Sequence, residues 1–343
     1  MGVVDAPRLV LSRESYPEVK SAHILPRMFQ RPFAVNDKVA VHIDGGAECV
    51  LMPTKKAGTR STYYRRTRPD GEPIDDIEAS LSVIEDKSRA PLQDLIGGGP
   101  VNAESKGIVA QFLGVQMLRG PAFFEQREEL IVPILEGLES TDFTPRGMAA
   151  VGGEVEQART KLVRAYLDPT QRFLTMLTTA VKMATVLAHM RWHMLRFEGP
   201  LLAYSDHPIV LWPMDLATSA PFGRQGLGPL SALEVRVPIA PDVAILMNWV
   251  DRSDQAPVPL GARAAAELNA FTVGQADRQW MHRPGNEPDV PAGILAPISR
   301  LIEPSYDRLA LLRSARRTAA EAFIKRVKNR RYVEDVEVLV DVQ

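Results

Sequence analysis

Polar side chains capable of chemistry lie in an apolar segment near the start of the sequence, where His23 is followed by Arg27 and Arg31. The pKa of a histidine lies close to neutral pH, which suits His23 to proton transfer or to metal binding. Arg31 is a candidate supporting residue beside it. The alternative is a histidine that caps the turn at Pro26 through a backbone carbonyl, and the sequence leaves both interpretations open.

Two carboxylates, Glu78 and Glu85, lie seven residues apart on a predicted helix. Seven residues make almost two turns, so both side chains share one helix face, about 10 Å apart along the axis. That distance is too long for one ion to bind both of them directly. One carboxylate could therefore be a metal ligand or a base and the other the partner of an arginine. A solvated charged face is the alternative.

Gln116 and Arg119 lie three residues apart at the end of the next predicted helix, which places both on one face. If Arg119 is buried, it needs a carboxylate partner, and Glu78 or Glu85 could supply one. Otherwise Arg119 is a simple cation that interacts favourably with the dipole at the helix C-terminus.

A third polar group, Ser205, Asp206 and His207, stands between two apolar strand candidates and just before Pro208. Binding and catalytic residues often gather where strands pass into loops. Asp206 could bind a divalent cation or orient His207. An ordinary Asx-turn before the next strand explains the same residues equally well.

Other patterns limit the chemistry further. His189 and His193 have the i,i+4 spacing that can bind zinc on a helix, but Met190 stands where the zinc-protease motif has glutamate. We therefore expect both to be surface or core histidines. The sequence contains no Walker A motif, no G-x-G-x-x-G loop and no G-x-S-x-G elbow, which argues against a nucleotide cofactor and α/β-hydrolase chemistry.

A predicted helix from Tyr306 to Arg331 is strongly basic and could follow a nucleic-acid backbone. The acidic tail after it could equally neutralise this face. The residues expected to contact phosphate are Arg313, Arg316, Arg317, Lys325 and Arg326.

The composition limits the kind of protein that carries these candidates. The 343 residues are 45% hydrophobic and 24% charged, with a net charge of -1, which excludes a mostly disordered chain and a uniformly basic coat protein. The single cysteine, Cys49, excludes a disulfide framework and a Cys-rich zinc site. The lack of a signal-peptide pattern and of a long apolar run predicts a cytoplasmic protein without a membrane partner.

Hydrophobic periodicity predicts the α+β class, mainly helical with a mixed or antiparallel sheet contributed by residues 39–52 and 201–250. We expect residues 1–300 to form a single domain and residues 301–343 to add the basic helix and the acidic tail. The predicted strands are Val39–Ile43, Glu48–Met52 and at least three within Leu201–Leu246. The predicted helices are Asp75–Leu95, Ala103–Leu118, 121–138, 154–165, Thr170–Phe197 and Gly261–Trp280.

The pattern H-x-x-P-x-x-[YF]-x-x-x-F is matched by His23, Pro26, Phe29 and Phe33, and the segments IEASLSVIE, QMLRGP and AYSDHPIV follow it along the chain. Together these segments resemble the bacterial family catalogued as domain of unknown function 4238, and the resemblance spans roughly residues 20 to 285. The sequence departs from the family at Gln30, where leucine is usual, and at His207, which replaces a common asparagine. The resemblance implies no particular activity.

These residues lead to the hypothesis of a metal-dependent phosphodiesterase or nuclease-like hydrolase, with nucleic acid as a partner. Glu78 and Asp206 would hold a divalent cation, Mg²⁺ or Mn²⁺, that activates water. His23 would be a base or a ligand, and Arg119 would stabilise phosphate charge. The supporting residues would be Arg31, Glu85, Gln116, Ser205 and His207.

The alternative hypothesis is a non-catalytic interaction or regulatory protein in which the same residues only build the fold. In that case Glu85 and Arg119 form a buried ion pair, His23 caps a turn, and Asp206 makes an Asx-turn. The two hypotheses differ in whether His23, Glu78 and Asp206 line one cavity.

Overall fold

Helices and antiparallel sheets make up most of the described part of the chain, which confirms the predicted α+β class. The helices predicted over 121–138, 154–165 and 306–331 and the acidic tail after them lie outside the described residues. The computed structural model describes residues 21–43, 48–61, 66–67, 73–74, 76–120, 169–212, 229, 232–249, 259–276 and 278–290.

The described elements include the predicted hairpin, the first two long predicted helices and more than three strands after residue 200. In chain order they are β1 (Ser21–His23), α1 (Arg27–Gln30), a 3-10 turn (Arg31–Phe33), β2 (Lys38–Ile43), β3 (Cys49–Pro53), β4 (Thr59–Ser61), β5 (Arg66–Thr67), β6 (Pro73–Ile74), α2 (Asp76–Gly97), α3 (Ala103–Leu118), α4 (Pro169–His189), β7 (Arg191–Arg196), β8 (Ala203–Ser205), β9 (Val210–Trp212), β10 (Glu234–Ala240), β11 (Val243–Asn248), α5 (Ala262–Gly274) and β12 (Gln279–His282).

Eight of the twelve described strands form two four-stranded sheets, where the sequence predicts one sheet, and the pairs β1-β4 and β5-β6 form two small two-stranded sheets. The first sheet has the order β7-β11-β10-β9, and the second has the order β3-β2-β12-β8. All pairs in both are antiparallel. Every residue of β10 and β11 is buried, because both faces of the first sheet are covered. The predicted region 201–250 is divided between the two sheets, because β8 lies in the sheet of β2 and β3, next to β12, whereas β9, β10 and β11 lie in the sheet of β7.

The predicted helix Thr170–Phe197 is wrong over its last third. Helix α4 ends at His189, and the chain continues as the strand β7, which pairs with β11 along its whole length. The turn is closed by the Trp192 indole, which donates to the Leu187 carbonyl at 2.8 Å. An apolar run without Gly or Pro does not separate helix from strand by periodicity alone, and pairing with β11 decides the outcome.

The predicted helix Gly261–Trp280 is also too long. Helix α5 ends at Gly274, and Gln279–His282 forms β12, the strand that lies between β2 and β8. This strand is only four residues long, so it has too few positions to show an alternating pattern. It completes the second sheet, and it positions residues of both sites described below.

Helices α3 and α4 pack very closely, and Gly114 makes this possible. A Cβ atom at this position would lie 2.5 Å from the Ala180 carbonyl oxygen and 2.9 Å from the Ala184 amide nitrogen. The absence of a side chain therefore allows the two backbones to approach. None of the helices in the described ranges is long and apolar enough to cross a membrane.

The aromatic positions of the opening segment are core residues. Phe29 packs against Phe112 of α3 and Tyr204 of β8, with ring centroids 6.2 Å apart in each pair, and Phe33 lies 4.3 Å from the Tyr204 ring. All are buried, and burial raises the pKa of the Tyr204 hydroxyl. This core fixes α1 between the helices and the second sheet, and so fixes the place of His23 immediately before it.

Candidate functional site

His23 ends the short strand β1, opposite Thr59 of β4. Its ring is half-buried and hydrogen bonds to the backbone of Lys55. Its Nε2 atom is buried and has no hydrogen-bond partner among the described residues. Burial lowers the pKa of His23, and the neighbouring charge of Arg119 lowers it further, against an opposing effect of Glu85. The imidazole is therefore neutral near pH 7.

Arg119 and Glu85 form an ion pair between α3 and α2. The Arg119 Nη1 atom donates to Glu85 Oε1 at 2.5 Å, and the two side chains are 1% and 20% exposed. The predicted carboxylate partner of Arg119 is thus Glu85. Glu85 thus supplies the counter-charge that the buried guanidinium needs, and of the two charges the guanidinium has the larger effect on the pKa of His23.

Gln116 lies one turn before Arg119 and supports the same segment. Its Nε2 atom donates to the Ile24 carbonyl at 2.8 Å, so Gln116 contacts the residue that follows His23. The departure at Gln30 has a related role, because its Nε2 atom donates to the carbonyls of Leu25 and Ala57. Both amides therefore fix the backbone that follows His23.

Asp206 holds β12 in place. Its Oδ2 atom accepts hydrogen bonds from the backbone amides of Arg278 and Gln279 at 2.9 and 3.1 Å, and its own amide donates to the Gln279 carbonyl. Ser205 forms a local turn, because its hydroxyl donates to the His207 carbonyl and accepts from the His207 amide. The local turn is thus closed by the Ser205 hydroxyl, and the Asp206 carboxylate, for which an Asx-turn was the alternative, makes long-range contacts with β12.

Gln279 and Gly58, which the sequence analysis did not single out, connect Asp206 to the His23 segment. The Gly58 amide donates to Gln279 Oε1 at 3.1 Å, and the Gly58 carbonyl accepts from the amides of Ile24 and Leu25. Gly58 has φ +62°, and a Cβ there would lie 2.8 Å from the Leu25 Cβ, so only glycine fits. The sequence does contain a turn-forming segment here, KKAGT at residues 55–59, from which a glycine turn at Gly58 could have been predicted.

The structure thus brings four of the candidates together and places others beside them. His23, Glu85, Gln116 and Arg119 converge where α2, α3 and β1 meet. His207 approaches from β8, because a Cβ on Gly120 would lie 4.0 Å from its Cδ2 atom. Asp206 is joined to the group through β12.

Other candidates lie elsewhere or outside the description. Arg31 is exposed, and Arg27 pairs with Asp37 at 3.2 Å. Glu78 lies on α2 two turns before Glu85, and its side chain is not among those described. The five basic residues predicted to contact phosphate, Arg313, Arg316, Arg317, Lys325 and Arg326, are also outside the described part of the chain.

The i,i+4 pairing of His189 and His193 does not exist. His189 ends α4, where its Nδ1 lies 2.7 Å from the Thr185 carbonyl oxygen, whereas His193 lies in β7 with its Nε2 3.3 Å from Asn248 Oδ1. The turn at Met190 separates them. His189 is therefore an exposed residue at the end of α4, and His193 belongs to the first sheet.

A second group of buried charges was not predicted. Glu234 and Arg236 of β10 form a fully buried ion pair, with a distance of 2.6 Å between Glu234 Oε2 and Arg236 Nη2. The guanidinium also lies over the rings of Trp212 and Phe271. Burial raises the pKa of the nearby Glu267, and Arg236 opposes that effect. This group links the first sheet to α5.

Comparison with known proteins agrees with the resemblance in the sequence. The family model described as Protein of unknown function (DUF4238) matches residues 22–286. The matched range begins beside His23 and ends beyond β12, so it contains the whole group of residues described above. No curated protein matches the chain. No solved structure matches it either.

Proposed function

Because the chain belongs to the family of proteins of unknown function DUF4238, whose description states no activity, we propose a function from the site itself. The protein is a phosphodiesterase or nuclease-like hydrolase in which His23 is the general base. The observation that carries this proposal is the buried, unpartnered Nε2 of His23, noted above for the described residues, beside the charge of Arg119.

The acid-base chemistry follows from how His23 is held. A neutral imidazole whose other nitrogen is fixed by a backbone contact presents one lone pair in a fixed direction, which is what a general base needs. Nε2 would take the proton of the attacking water. The surroundings keep the imidazole neutral near pH 7, so the base is available there.

Arg119 supplies the electrostatic part of the proposal. Phosphoryl transfer develops negative charge, and a fixed guanidinium in a buried place stabilises it more than it would in water. Glu85 holds the guanidinium in position, and Gln116 holds the backbone next to His23. In this scheme Glu85, Gln116 and Ser205 are positioning residues.

A divalent cation, Mg²⁺ or Mn²⁺, held by Glu78 and Asp206 stays part of the proposal as a prediction. Glu78 precedes Glu85 by two turns of α2, and Glu85 pairs with Arg119. A cation there would lower the pKa of a bound water molecule. The basic residues after 301 and a nucleic-acid substrate are likewise predictions.

The test is hydrolysis of bis(p-nitrophenyl) phosphate and of labelled single- and double-stranded DNA and RNA, with Mg²⁺, Mn²⁺ or EDTA. His23→Gln should lower the rate about 100-fold or more, the usual range for loss of a general base. His189→Gln, which removes an exposed histidine, is the matched control. Failure of the wild-type protein to cut any substrate with either ion would overturn the proposal. Glu78→Gln and Asp206→Asn should each raise the concentration of cation required.

A second candidate function is supported by the same contacts. Gln116, Asp206 and the Glu85–Arg119 pair each join segments far apart in the chain, as in the non-catalytic interaction or regulatory protein of the alternative hypothesis. Thermal melting separates the two. Full stability of His23→Gln together with lost hydrolysis supports the enzyme, whereas a large loss of stability without any hydrolysis by the wild type supports the framework role.

A further inference from the structure

A second group of reactive side chains lies on the other face of the second sheet. In β2, β3 and β12, His42 is directly opposite Cys49 on one side and Trp280 on the other. His282 follows Trp280 by two residues and therefore points to the same face. Gln279, which contacts Gly58, and Met281 point to the opposite face. The group of His42, Cys49 and His282 is thus separated from the His23 site by the sheet itself.

The three side chains bring their donor atoms together. One ring nitrogen of each histidine and the Cys49 sulfur all lie within 4.8 Å of one another. Zn–N bonds of about 2.0 Å and Zn–S bonds of about 2.3 Å place the ligand atoms of a tetrahedral site about 3.3–3.6 Å apart. Small side-chain rotations would therefore close the group around one ion.

The surroundings of His282 are those of a metal ligand. Its Nδ1 lies 3.0 Å from the Arg283 carbonyl oxygen and 2.8 Å from that of Asn286, so Nδ1 carries the proton and donates it. The lone pair is then on Nε2, which is buried and lacks a hydrogen-bond partner within the described ranges. A buried acceptor without a partner is costly, and a bound ion would remove that cost. Backbone carbonyls that fix the tautomer in this way are typical of metal-bound histidines.

The other two candidate ligands differ in exposure, because His42 is buried and Cys49 is exposed. His42 is 3% exposed, and its ring stacks on Trp280 with centroids 3.7 Å apart and an angle of 4° between the planes. This stacking holds the imidazole plane in one orientation. Cys49 is exposed on the edge strand β3. An ion would therefore be buried on its histidine side and open to water on its thiolate side.

We infer that His42, Cys49 and His282 bind one zinc ion, with water in the fourth position. Imidazole and thiolate ligands favour zinc over magnesium or manganese, so this site is distinct from the cation predicted at Glu78 and Asp206. The single cysteine excludes a Cys-rich site but suffices for this ligand set. The ion would join β3 and β12 to β2 and stabilise a sheet built from both ends of the matched range. The inference does not rest on the proposed function.

The test uses the full-length protein, from which a chelator first removes any bound metal, and a phosphine reductant keeps the Cys49 thiol reduced. Zn²⁺ is titrated against a chromophoric chelator, and Co²⁺ serves as a spectroscopic probe. We expect one ion per chain, a thiolate-to-cobalt charge-transfer band in the near ultraviolet, intense visible bands of tetrahedral cobalt, and a higher melting temperature with zinc.

Cys49→Ser is the decisive variant, because an exposed side chain can be changed without disturbing the fold. It should abolish the charge-transfer band and weaken zinc binding about 100-fold or more, since even loss of an outer contact costs 10- to 100-fold. His282→Gln should weaken binding similarly, and circular dichroism checks that it is folded. His189→Gln should bind as the wild type does. Absence of zinc binding, or binding unchanged by Cys49→Ser, would overturn the inference.

Discussion

His23 couples its own titration to the stability of the protein. Burial, followed by the charge of Arg119, lowers its pKa below the ordinary value of 6.5. Between that folded pKa and about 6.5, the unfolded chain binds a proton that the folded chain does not. The contribution of His23 to the free energy of unfolding therefore decreases as the pH falls through this window. Burial lowers the pKa of His282 as well, so the two effects have the same sign.

We therefore predict that His23→Gln flattens the dependence of stability on pH. Urea unfolding measured at several values between about pH 5 and 8 should show a smaller decrease toward acid in the variant than in the wild type. His189→Gln should leave the decrease unchanged. An identical slope in the wild type and His23→Gln would contradict the assignment of a lowered pKa to His23.

Glu85 and Arg119 are interdependent, and this gives a second prediction. Glu85→Gln leaves a buried guanidinium without its counter-charge and should lower the free energy of unfolding by about 3 kcal/mol, the lower end of the range for a broken buried pair, because Glu85 is 20% exposed. The double variant Glu85→Leu with Arg119→Met should recover much of this loss. Urea unfolding measures both.

The control lies on the same helix. Asp86 pairs with Arg89 at 2.7 Å, but both side chains are largely exposed. Asp86→Asn should therefore change the free energy of unfolding by less than about 1 kcal/mol. Equal losses in Glu85→Gln and Asp86→Asn would mean that burial does not govern the Glu85–Arg119 pair.

At the scale of elements, local patterns predicted α2, α3 and the hairpin of β2 and β3 correctly. Each has a signal within its own residues, such as the Asn102 side chain that accepts from the Ser105 amide at the start of α3. The errors at β7 and β12 have a different cause. These strands exist because β11 and β2 lie beside them, and no local pattern contains that information.

The candidate site was predictable to the same extent. Gln116 and Arg119 could be placed on one face, and a carboxylate partner could be expected, because helical spacing and charge burial are local rules. The choice of Glu85 and the connection through Gln279 and Gly58 depend on packing between distant segments. The proposed zinc ligands His42 and His282 lie near opposite ends of the matched range, so no short metal-binding motif in the sequence could predict this site.

The contact between α3 and α4 leads to a third prediction. Gly114→Ala gains about 1 kcal/mol of helix propensity but places a Cβ against the Ala180 carbonyl, so overpacking should dominate and lower stability by about 1–3 kcal/mol net. Gly97→Ala at the end of α2 is the control, because nothing lies within 4 Å of its Cβ position. Urea unfolding should show a loss only for Gly114→Ala, and a stabilised Gly114→Ala would refute the close packing.

At the scale of the whole molecule, β12 closes the structure. It lies between β2, from the first part of the chain, and β8, from the middle, and it comes near the end of the range that matches the family. Through Gln279 it contacts the Gly58 turn beneath His23, and through His282 it reaches the proposed zinc site on the other face. The geometry of both sites therefore depends on how firmly this short strand is held.

Asp206 is the side chain that holds it, and the last prediction concerns its loss. Asp206→Ala removes two charge-assisted hydrogen bonds and leaves the amides of Arg278 and Gln279 without that acceptor, so stability should fall by about 3 kcal/mol. Hydrogen exchange followed by mass spectrometry should show faster exchange in peptides that contain β12, and zinc affinity should fall because His282 moves with the strand. Asp242→Ala, at an exposed position in the turn between β10 and β11, should change neither quantity. Unchanged exchange in β12 would mean that strand pairing alone holds it, and that Asp206 is not the link between the two faces of the sheet.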